Sequence, residues 1–265
     1  MICCLCGKSE ENSFLNGSNW RLVRCSCGMI WTGDFATQAL SYNDDDYFVS
    51  RNRYVQQWDL FSRIFDALMD KISKFKSGGR LLDVGAGVGT LVDAANRKGF
   101  CACGVEVSSW ASRFAREEKN LEVITGYLEV ACFSDECFDV VTLNHVLEHV
   151  ENPLALLSEI RRILRPDGLL VIGVPNIGSI MASLKGVRWA SLRPNEHIWH
   201  FTTATLRMLS RQSGFTDVMF ESRDNYAVSG WSPKELATRL INLVAVATGR
   251  SEAMLLFCIK TEPWP

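Results

Sequence analysis

Short apolar runs alternate with amphipathic stretches along most of this chain. Apolar residues at Leu60, Phe61, Ile64, Phe65, Leu68 and Ile72 share one face of a predicted helix over Trp58–Phe75, which Ser77-Gly78-Gly79 ends. Five nearly continuous apolar runs follow: Arg80–Val84, Cys101–Val107, Leu121–Thr125, Phe138–Leu143 and Leu169–Val174. Helical segments over Leu91–Lys98, Trp110–Glu117 and Pro153–Leu164 lie among them. Strands that are apolar on both faces and joined by helices indicate a parallel sheet covered on both sides, with right-handed crossovers. Phe215–Glu221 and Met254–Lys260 add two strands, with a helix from Pro233 to about Thr248 between them. The expected fold is α/β, a doubly wound, seven-stranded, mostly parallel sheet.

Two regions precede this alternation. Residues 1–33 are Cys-rich, and residues 34–57 form an aromatic and acidic linker in which Asp44-Asp45-Asp46 runs into Tyr47-Phe48. The main domain is expected over 58–265, with no repeats and no low-complexity tract. A length of 265 residues suits one ordinary domain, and 47% hydrophobic against 22% charged residues suits a sizeable core. A formal net charge of −2 gives no global basic field, so neither nucleic acid nor an acidic membrane is an expected partner. The apolar stretch Leu236–Thr248 is too short for a membrane span and is interrupted by Arg239 and Asn242. Met1-Ile2-Cys3-Cys4 lacks the basic start and apolar run of a secretory signal, so a cytoplasmic location is expected.

The first strand runs into Leu81-Leu82-Asp83-Val84-Gly85-Ala86-Gly87-Val88-Gly89-Thr90 and then a helix. Glycines at 85, 87 and 89 let the backbone turn tightly and approach a ligand with no side chain in the way. Glu106, beside Val107, ends the next strand, where a carboxylate is placed to accept from both hydroxyls of a ribose. A strand, a glycine loop, a helix and this acid together identify a nucleoside-cofactor site. The spacing is G-x-G-x-G with Asp83 two residues ahead, not the G-x-G-x-x-G of dinucleotide binders.

At this point the sequence closely resembles the class I methyltransferases, which use S-adenosylmethionine. Asp83, Gly85, Gly87 and Glu106 match that family's first motif and ribose acid residue by residue; Asp83 also has a simpler reading, as a strand-end carboxylate capping the turn. Phe138-Asp139-Val140-Val141 resembles the fourth strand, and His145 to Pro153 the segment after it. Leu164-Arg165-Pro166-Asp167-Gly168-Leu169 resembles the turn before the fifth strand, in the branch that acts on small molecules. The resemblance implies a Rossmann-like fold and cofactor contacts at Gly89, Val107, Tyr127, Leu128 and Asn144, although Tyr127 replaces the acid often found there. An Asn-Pro-Pro-Tyr type of motif after the fourth strand is absent, which argues against methylation of base or amide nitrogens.

All four histidines fall in two places, His145-x-x-Glu148-His149 after the fourth strand and His197-Ile198-Trp199-His200 after the fifth. Carboxyl ends of strands line the ligand crevice of such sheets, so both pairs are candidates to face the transferred methyl group. Three readings stay open. One histidine, His149 or His200 ahead of His145 or His197, is a general base for a substrate hydroxyl. Alternatively, His145, Glu148 and His149 bind a divalent metal; resemblance to the ubiquinone-pathway O-methyltransferases implies such a cluster, although His145 stands where that subgroup has an acid. In the third reading the segment only orders its loop. The insert 177–200, with Trp189, Arg193, His197 and Trp199, is a candidate substrate lid, or equally a packed flap.

Five of the ten cysteines lie within the first 27 residues. Cys3-x-x-Cys6 and Cys25-x-Cys27, each followed by glycine, read as two knuckles of a structural Zn²⁺ ribbon, with Cys4 spare. Cys101, Cys103, Cys132, Cys137 and Cys258 read as small hydrophobes. Small methyltransferases of secondary-metabolite clusters look similar, and nucleotide-sugar C-methyltransferases share the knuckle but carry a further C-terminal domain. The expected activity is methyl transfer from S-adenosylmethionine to a small molecule, at oxygen before carbon or nitrogen. The alternatives are a scaffold that binds cofactor without turnover, using the ribbon to dock, and a protein or RNA methyltransferase. Oligomeric state is not legible.

Overall fold

The structure, a computed structural model, describes residues 1–9, 12–33, 47–51, 53–223 and 233–261; the acidic run Asp44-Asp45-Asp46 lies outside them. In chain order the elements are β1 (Asn12–Asn16), β2 (Arg21–Arg24), β3 (Ile30–Gly33), α1 (Trp58–Ile72), β4 (Gly79–Val84), α2 (Thr90–Arg97) and β5 (Phe100–Glu106). Next come α3 (Ser109–Lys119), β6 (Val123–Thr125), β7 (Phe138–Asn144), α4 (Pro153–Ile163) and β8 (Leu164–Pro175). The last are α5 (Ile180–Lys185), β9 (Trp199–His200), α6 (Thr203–Gln212), β10 (Phe215–Arg223), α7 (Pro233–Ala247) and β11 (Ala253–Lys260). Seven strands form one sheet in the order β10-β11-β8-β7-β4-β5-β6, and four form another in the order β1-β2-β3-β9. Among the described residues no helix is long and apolar enough to cross a membrane.

The chain divides into two compact units that do not follow the boundaries expected from sequence. One comprises residues 39–144, 156–171 and 259–265; the other comprises 1–38, 145–155 and 172–258. The Cys-rich start is joined to a distant part of the chain, because β3 pairs antiparallel with β9, Ile30 opposite His200 and Trp31 opposite Trp199.

In the first of these units β4 lies parallel between β5 and β7, and β5 is parallel to β6. Leu81, Leu82, Val105, Val140, Val141 and Leu143 are all buried, as their continuous apolar runs require. Local chemistry sets the helix ends. The Ser108 hydroxyl accepts from the Ala111 N–H at 3.2 Å to start α3, and Asn120 closes it in the left-handed region at φ +53°. Pro153 opens α4 behind Asn152, whose side-chain oxygen accepts from the Ala155 N–H at 3.1 Å. The Asp139 carboxylate accepts from the Arg80 N–H, and both its oxygens accept from Arg165 Nη1, each at 2.8 Å, which joins the start of β7 to β4 and β8. Tyr47, Phe48, Tyr54 and Trp58, assigned by sequence mostly to a linker, pack with Val88, Ala111 and Trp110.

The other unit is organised around the four-stranded sheet. Leu22, Ile30, Ile177, Ala182 and Trp189 form its core, with Phe14, Trp20 and Met181 against them. Within the insert 177–200, Trp189 and Trp199 are buried, and the Trp189 indole N–H donates to Glu252 Oε1 at 2.8 Å. A reciprocal capping box between Thr202 and Thr205 starts α6, a helix not apparent from apolar periodicity. Helix α7 turns Leu236, Leu240 and Leu243 outward.

Close packing around the glycine loop leaves no room at Gly104 on β5. A Cβ there would sit 2.5 Å from the Ala86 Cβ, 3.3 Å from Val92 and 3.4 Å from Val123. Gly104→Ala is expected to lower stability by about 1–3 kcal/mol and to reduce the melting temperature. An unchanged melting temperature in thermal denaturation would show that β5 and the loop yield freely.

Candidate functional site

The glycine loop begins where β4 ends. Gly85, Gly87 and Gly89 all take positive φ, at +74°, +53° and +88°, which other residues adopt only with strain. The N–H groups of Gly85 and Ala86 donate to the Val105 carbonyl at 2.8 and 3.1 Å. Glu106 fixes the loop's crest: its Oε2 accepts from the Gly87 N–H at 2.7 Å and its Oε1 from the Ser108 N–H at 2.8 Å. Each carboxylate oxygen keeps a further lone pair. Burial pushes the Glu106 carboxyl up, and the N–H groups of Ser108, Gly87 and Val107 pull it back.

Asp83 is buried one strand away, where Oδ1 accepts from the Thr142 hydroxyl at 2.6 Å. Burial, helped by the charge of Glu106 and opposed by Thr142, pushes its carboxyl up to about 7. Asn144, at the end of β7, has a buried Oδ1 with no hydrogen-bond partner. A buried acceptor without a donor is costly, and this one together with Asp83 and Glu106 fits a ligand bringing hydroxyl and ammonium donors, as S-adenosylmethionine does. Phe48 covers Gly87, where a Cβ would meet its ring at 3.5 Å, and stacks on Trp110 with centroids 5.9 Å apart. Val107 is half-buried, Leu128 is buried and Tyr127 is 69% exposed. Gly89 has a packing reason of its own: a Cβ there would meet Leu121 at 2.6 Å and Ala115 at 3.2 Å. Sequence reasoning missed Phe48, Trp110 and Thr142; the Tyr47-Phe48 pair was the one visible signal.

Cys3, Cys6, Cys25 and Cys27 converge as their spacing suggested. Cys3 Sγ lies 3.5 Å from Cys27 Sγ and Cys6 Sγ 3.3 Å from Cys25 Sγ, and all four sulfurs lie within 4.8 Å of one another. Gly7 and Gly28, at φ +71° and +93°, turn back so that their N–H groups donate to the carbonyls of Cys3 and Cys25. Sulfurs on a tetrahedral Zn²⁺ stand about 3.8 Å apart, given bonds of about 2.3 Å, so the donor set fits that ion. Burial opposes ionisation of Cys25, yet the Cys27 N–H and neighbouring thiols bring it down to about 7. Cys4 stands outside the cluster and burial pushes it up to about 12. Cys103 and Cys258 are buried, as expected, but Cys101 and Cys132 are exposed because each falls where its strand or turn faces solvent.

His145 is exposed and takes φ +58°, and its Nδ1–H donates to Glu148 Oε1 at 3.0 Å. Glu148 is 1% exposed and its Oε2 has no hydrogen-bond partner. Burial pushes the Glu148 carboxyl up, but His145 and His149 hold it below its ordinary value. His149 is half-buried, with Nδ1 2.8 Å from the Glu196 carbonyl; a carbonyl only accepts, so Nδ1 is the donor. The His197 ring meets His149 edge-on, centroids 4.7 Å apart, and burial with its histidine neighbours drives it well below its usual value.

Thr32 on β3 governs His200. Its hydroxyl has one proton and lies 2.8 Å from the His197 carbonyl, which takes that proton. His200 Nε2, 3.0 Å away, must then be the donor to Thr32 Oγ1. Burial pushes His200 down to about 3, so the ring is neutral at pH 7. Pro175, Ile177, Trp189, His197, Trp199 and His200 line a cavity of about 10 Å³, room for about one water. One ligand atom each from Glu148, His149 and His197 falls within 4.8 Å of the others. His145 is not among them; its Nδ1 is hydrogen-bonded to Glu148.

Residues 54–219 match a family described as a methyltransferase domain. An uncharacterised protein of Methanocaldococcus jannaschii is 28% identical over 50% of this chain and 64% of its own length. The mitochondrial ubiquinone biosynthesis O-methyltransferase of Schizosaccharomyces pombe is 31% identical over 51% of this chain and 55% of its own. The chain thus spans under two thirds of both relatives. The crystal structure of a methyltransferase dependent on S-adenosylmethionine from Archaeoglobus fulgidus superposes with a TM-score of 0.61 at 22% identity, covering 82% of this chain and all of that one, a likeness of fold. The glycine loop held by Glu106, the unpartnered acceptor on Asn144 and a family match across more than half of the sequence lead to one conclusion: the chain belongs to the methyltransferase-domain family, with the class I fold.

Proposed function

We propose that this chain transfers the methyl group of S-adenosylmethionine to a hydroxyl of a small-molecule acceptor. The observation that carries the cofactor reading is the buried Glu106 carboxylate, held by the N–H groups of Gly87 and Ser108 at the end of β5. Asp83, Gly85, Gly87, Glu106, Val107, Tyr127, Leu128 and Asn144 hold the cofactor, with Gly89 setting the helix start. The bound cofactor supplies an activated methyl on a sulfonium. Oxygen as the acceptor atom is supported by the 31% identity with an O-methyltransferase of ubiquinone biosynthesis.

Transfer needs in-line positioning and loss of the acceptor's proton. His145 and His200 are committed to Glu148 and Thr32. Proton handling is therefore assigned to the group formed by Glu148, His149 and His197, whose first member follows Asn144 by four residues. The four clustered thiols hold a structural Zn²⁺ that fixes the turns leading into β3.

Removing the carboxylate in Glu106→Ala should weaken binding of S-adenosylhomocysteine by about 10- to 100-fold, the worth of one or two charge-assisted hydrogen bonds. Isothermal calorimetry reads this directly, and a folded native chain that binds no cofactor would sink the reading. Asp83 gives a pH dependence. Its carboxyl sits at about 7 against an ordinary 3.8, so below pH 7 the ligand-free site loses a negative charge. Affinity for the cationic cofactor should fall by up to about tenfold per pH unit from 7 toward 5, and Asp83→Asn should flatten the profile. The same raised pKa means that Asp83's contribution to ligand-free stability declines as pH rises from about 4 to 7. Cys6→Ser should lose tightly bound zinc and melt at lower temperature, as metal analysis and thermal denaturation would show.

A further inference from the structure

We infer that Thr32 is a positioning residue for the group Glu148, His149 and His197, to which proton handling is assigned above, and that its hydroxyl builds the Cys-rich start of the chain into the acceptor side of the reaction. Strand β3 is buried along its whole length, and Thr32, 2% exposed, carries a hydroxyl into that interior. A polar side chain is costly there unless hydrogen bonds offset its desolvation. Thr32 has two such bonds: it donates to the His197 carbonyl at 2.8 Å and accepts from His200 Nε2–H at 3.0 Å. Its backbone N–H adds a third, donating to the Ile198 carbonyl at 2.9 Å. One residue near the start of the chain therefore engages His197, Ile198 and His200 together.

A second set of bonds ties the same segment to the loop that carries Glu148 and His149. The N–H groups of Ile198 and Trp199 donate to the Glu148 carbonyl at 2.8 and 3.1 Å, and the Trp199 indole N–H donates to the Val150 carbonyl at 2.9 Å. His149 Nδ1–H donates to the Glu196 carbonyl at 2.8 Å. The edge-on contact of the His197 ring with His149, centroids 4.7 Å apart, thus depends on a segment attached to both Thr32 and the loop. A hydroxyl donates and accepts at once, which a valine of the same shape does not. Thr32→Val would leave the His197 carbonyl and the His200 Nε2–H without these partners inside the protein. The segment relieves that cost only by shifting or by admitting water. The cavity of about 10 Å³ beside His197 and His200 has room for one water. Either response moves the His197 ring against His149.

Proton–nitrogen correlation NMR of the imidazoles, recorded on the full chain with S-adenosylhomocysteine present, tests this role. In the unmutated chain His200 is expected to carry its proton on Nε2 and His149 on Nδ1. Thr32→Val should lose the slowly exchanging His200 Nε2–H signal and shift the ring-nitrogen resonances of His149 and His197. Circular dichroism and affinity for S-adenosylhomocysteine should stay native. Thr32→Ser keeps the hydroxyl and should restore all three rings, which a threonine needed only for packing would not do. His200 protonated on Nδ1 in the unmutated chain overturns the inference even if Thr32→Val does not fold. So do His149 and His197 resonances that ignore Thr32→Val, or that move as far in Thr32→Ser. Failure of the underlying assignment is read separately. If Glu148→Gln methylates catechol as fast as the native chain does, the group handles no proton and Thr32 has no part in the reaction, whatever the rings show.

Discussion

The hydrogen bond from the Gly87 N–H to Glu106 Oε2, 2.7 Å long, is the constraint on which the loop's shape depends. It joins the crest of the turn after β4 to the end of β5, strands already paired residue for residue from Gly79 opposite Phe100 to Val84 opposite Val105. The Val105 carbonyl accepts twice from the loop, and the Ser108 N–H holds the second oxygen of Glu106. Five backbone groups are thereby satisfied in and beside the turn. Everything placed after it follows, from the start of α2 at Gly89 to the aromatic cover of Phe48 on Trp110. The carboxylate is a fold element and, under the proposed function, also a ligand acceptor; the positive φ of the glycines is strain-free only for that residue type.

A second buried carboxylate, Glu148, is built on a contrasting plan. Glu106 has both oxygens held by backbone N–H groups, whereas Glu148 has one oxygen held by a histidine and the other left without a donor. Its own carbonyl accepts from the N–H groups of Ile198 and Trp199, so the segment carrying His197 and His200 is tied to it by backbone. Removing one partner from such a group leaves a buried charge exposed to its full desolvation cost. The residues around Glu148 are accordingly interdependent in a way that single substitutions do not separate cleanly.

Much of the first site was legible because its signals are local. The glycine spacing, Asp83 and Glu106 lie within 24 residues, and the β4, β5 and β7 runs are apolar on both faces. Continuous runs of that kind admit few alternatives in a chain this long. Helix α6 escaped notice because only Leu206 and Leu209 are large and buried in it; its start rests on the Thr202–Thr205 box. Strand β2 reads Arg-Leu-Val-Arg with its two middle residues buried, so it shows no alternation. The histidine arrangement was the least legible. Thr32 reaches His200 across 168 positions, and no periodicity announces a contact of that separation. His145, with its left-handed backbone at φ +58°, is hydrogen-bonded to Glu148, a pairing that the i, i+3 spacing alone does not announce.

The pairing of β3 with β9 bears on how such a chain changes over generations. Ile30 opposite His200 and Trp31 opposite Trp199 make the Cys-rich start and the insert after β8 two halves of one hydrogen-bonded surface. Trp31 and Trp199, with ring centroids 6.2 Å apart, fill space on that surface jointly. A gene fusion that grafted a different head onto this chain would also inherit an unpaired strand edge and an indole without its neighbour. The two segments, 165 residues apart between Thr32 and His197, are therefore bound to travel as a single heritable module.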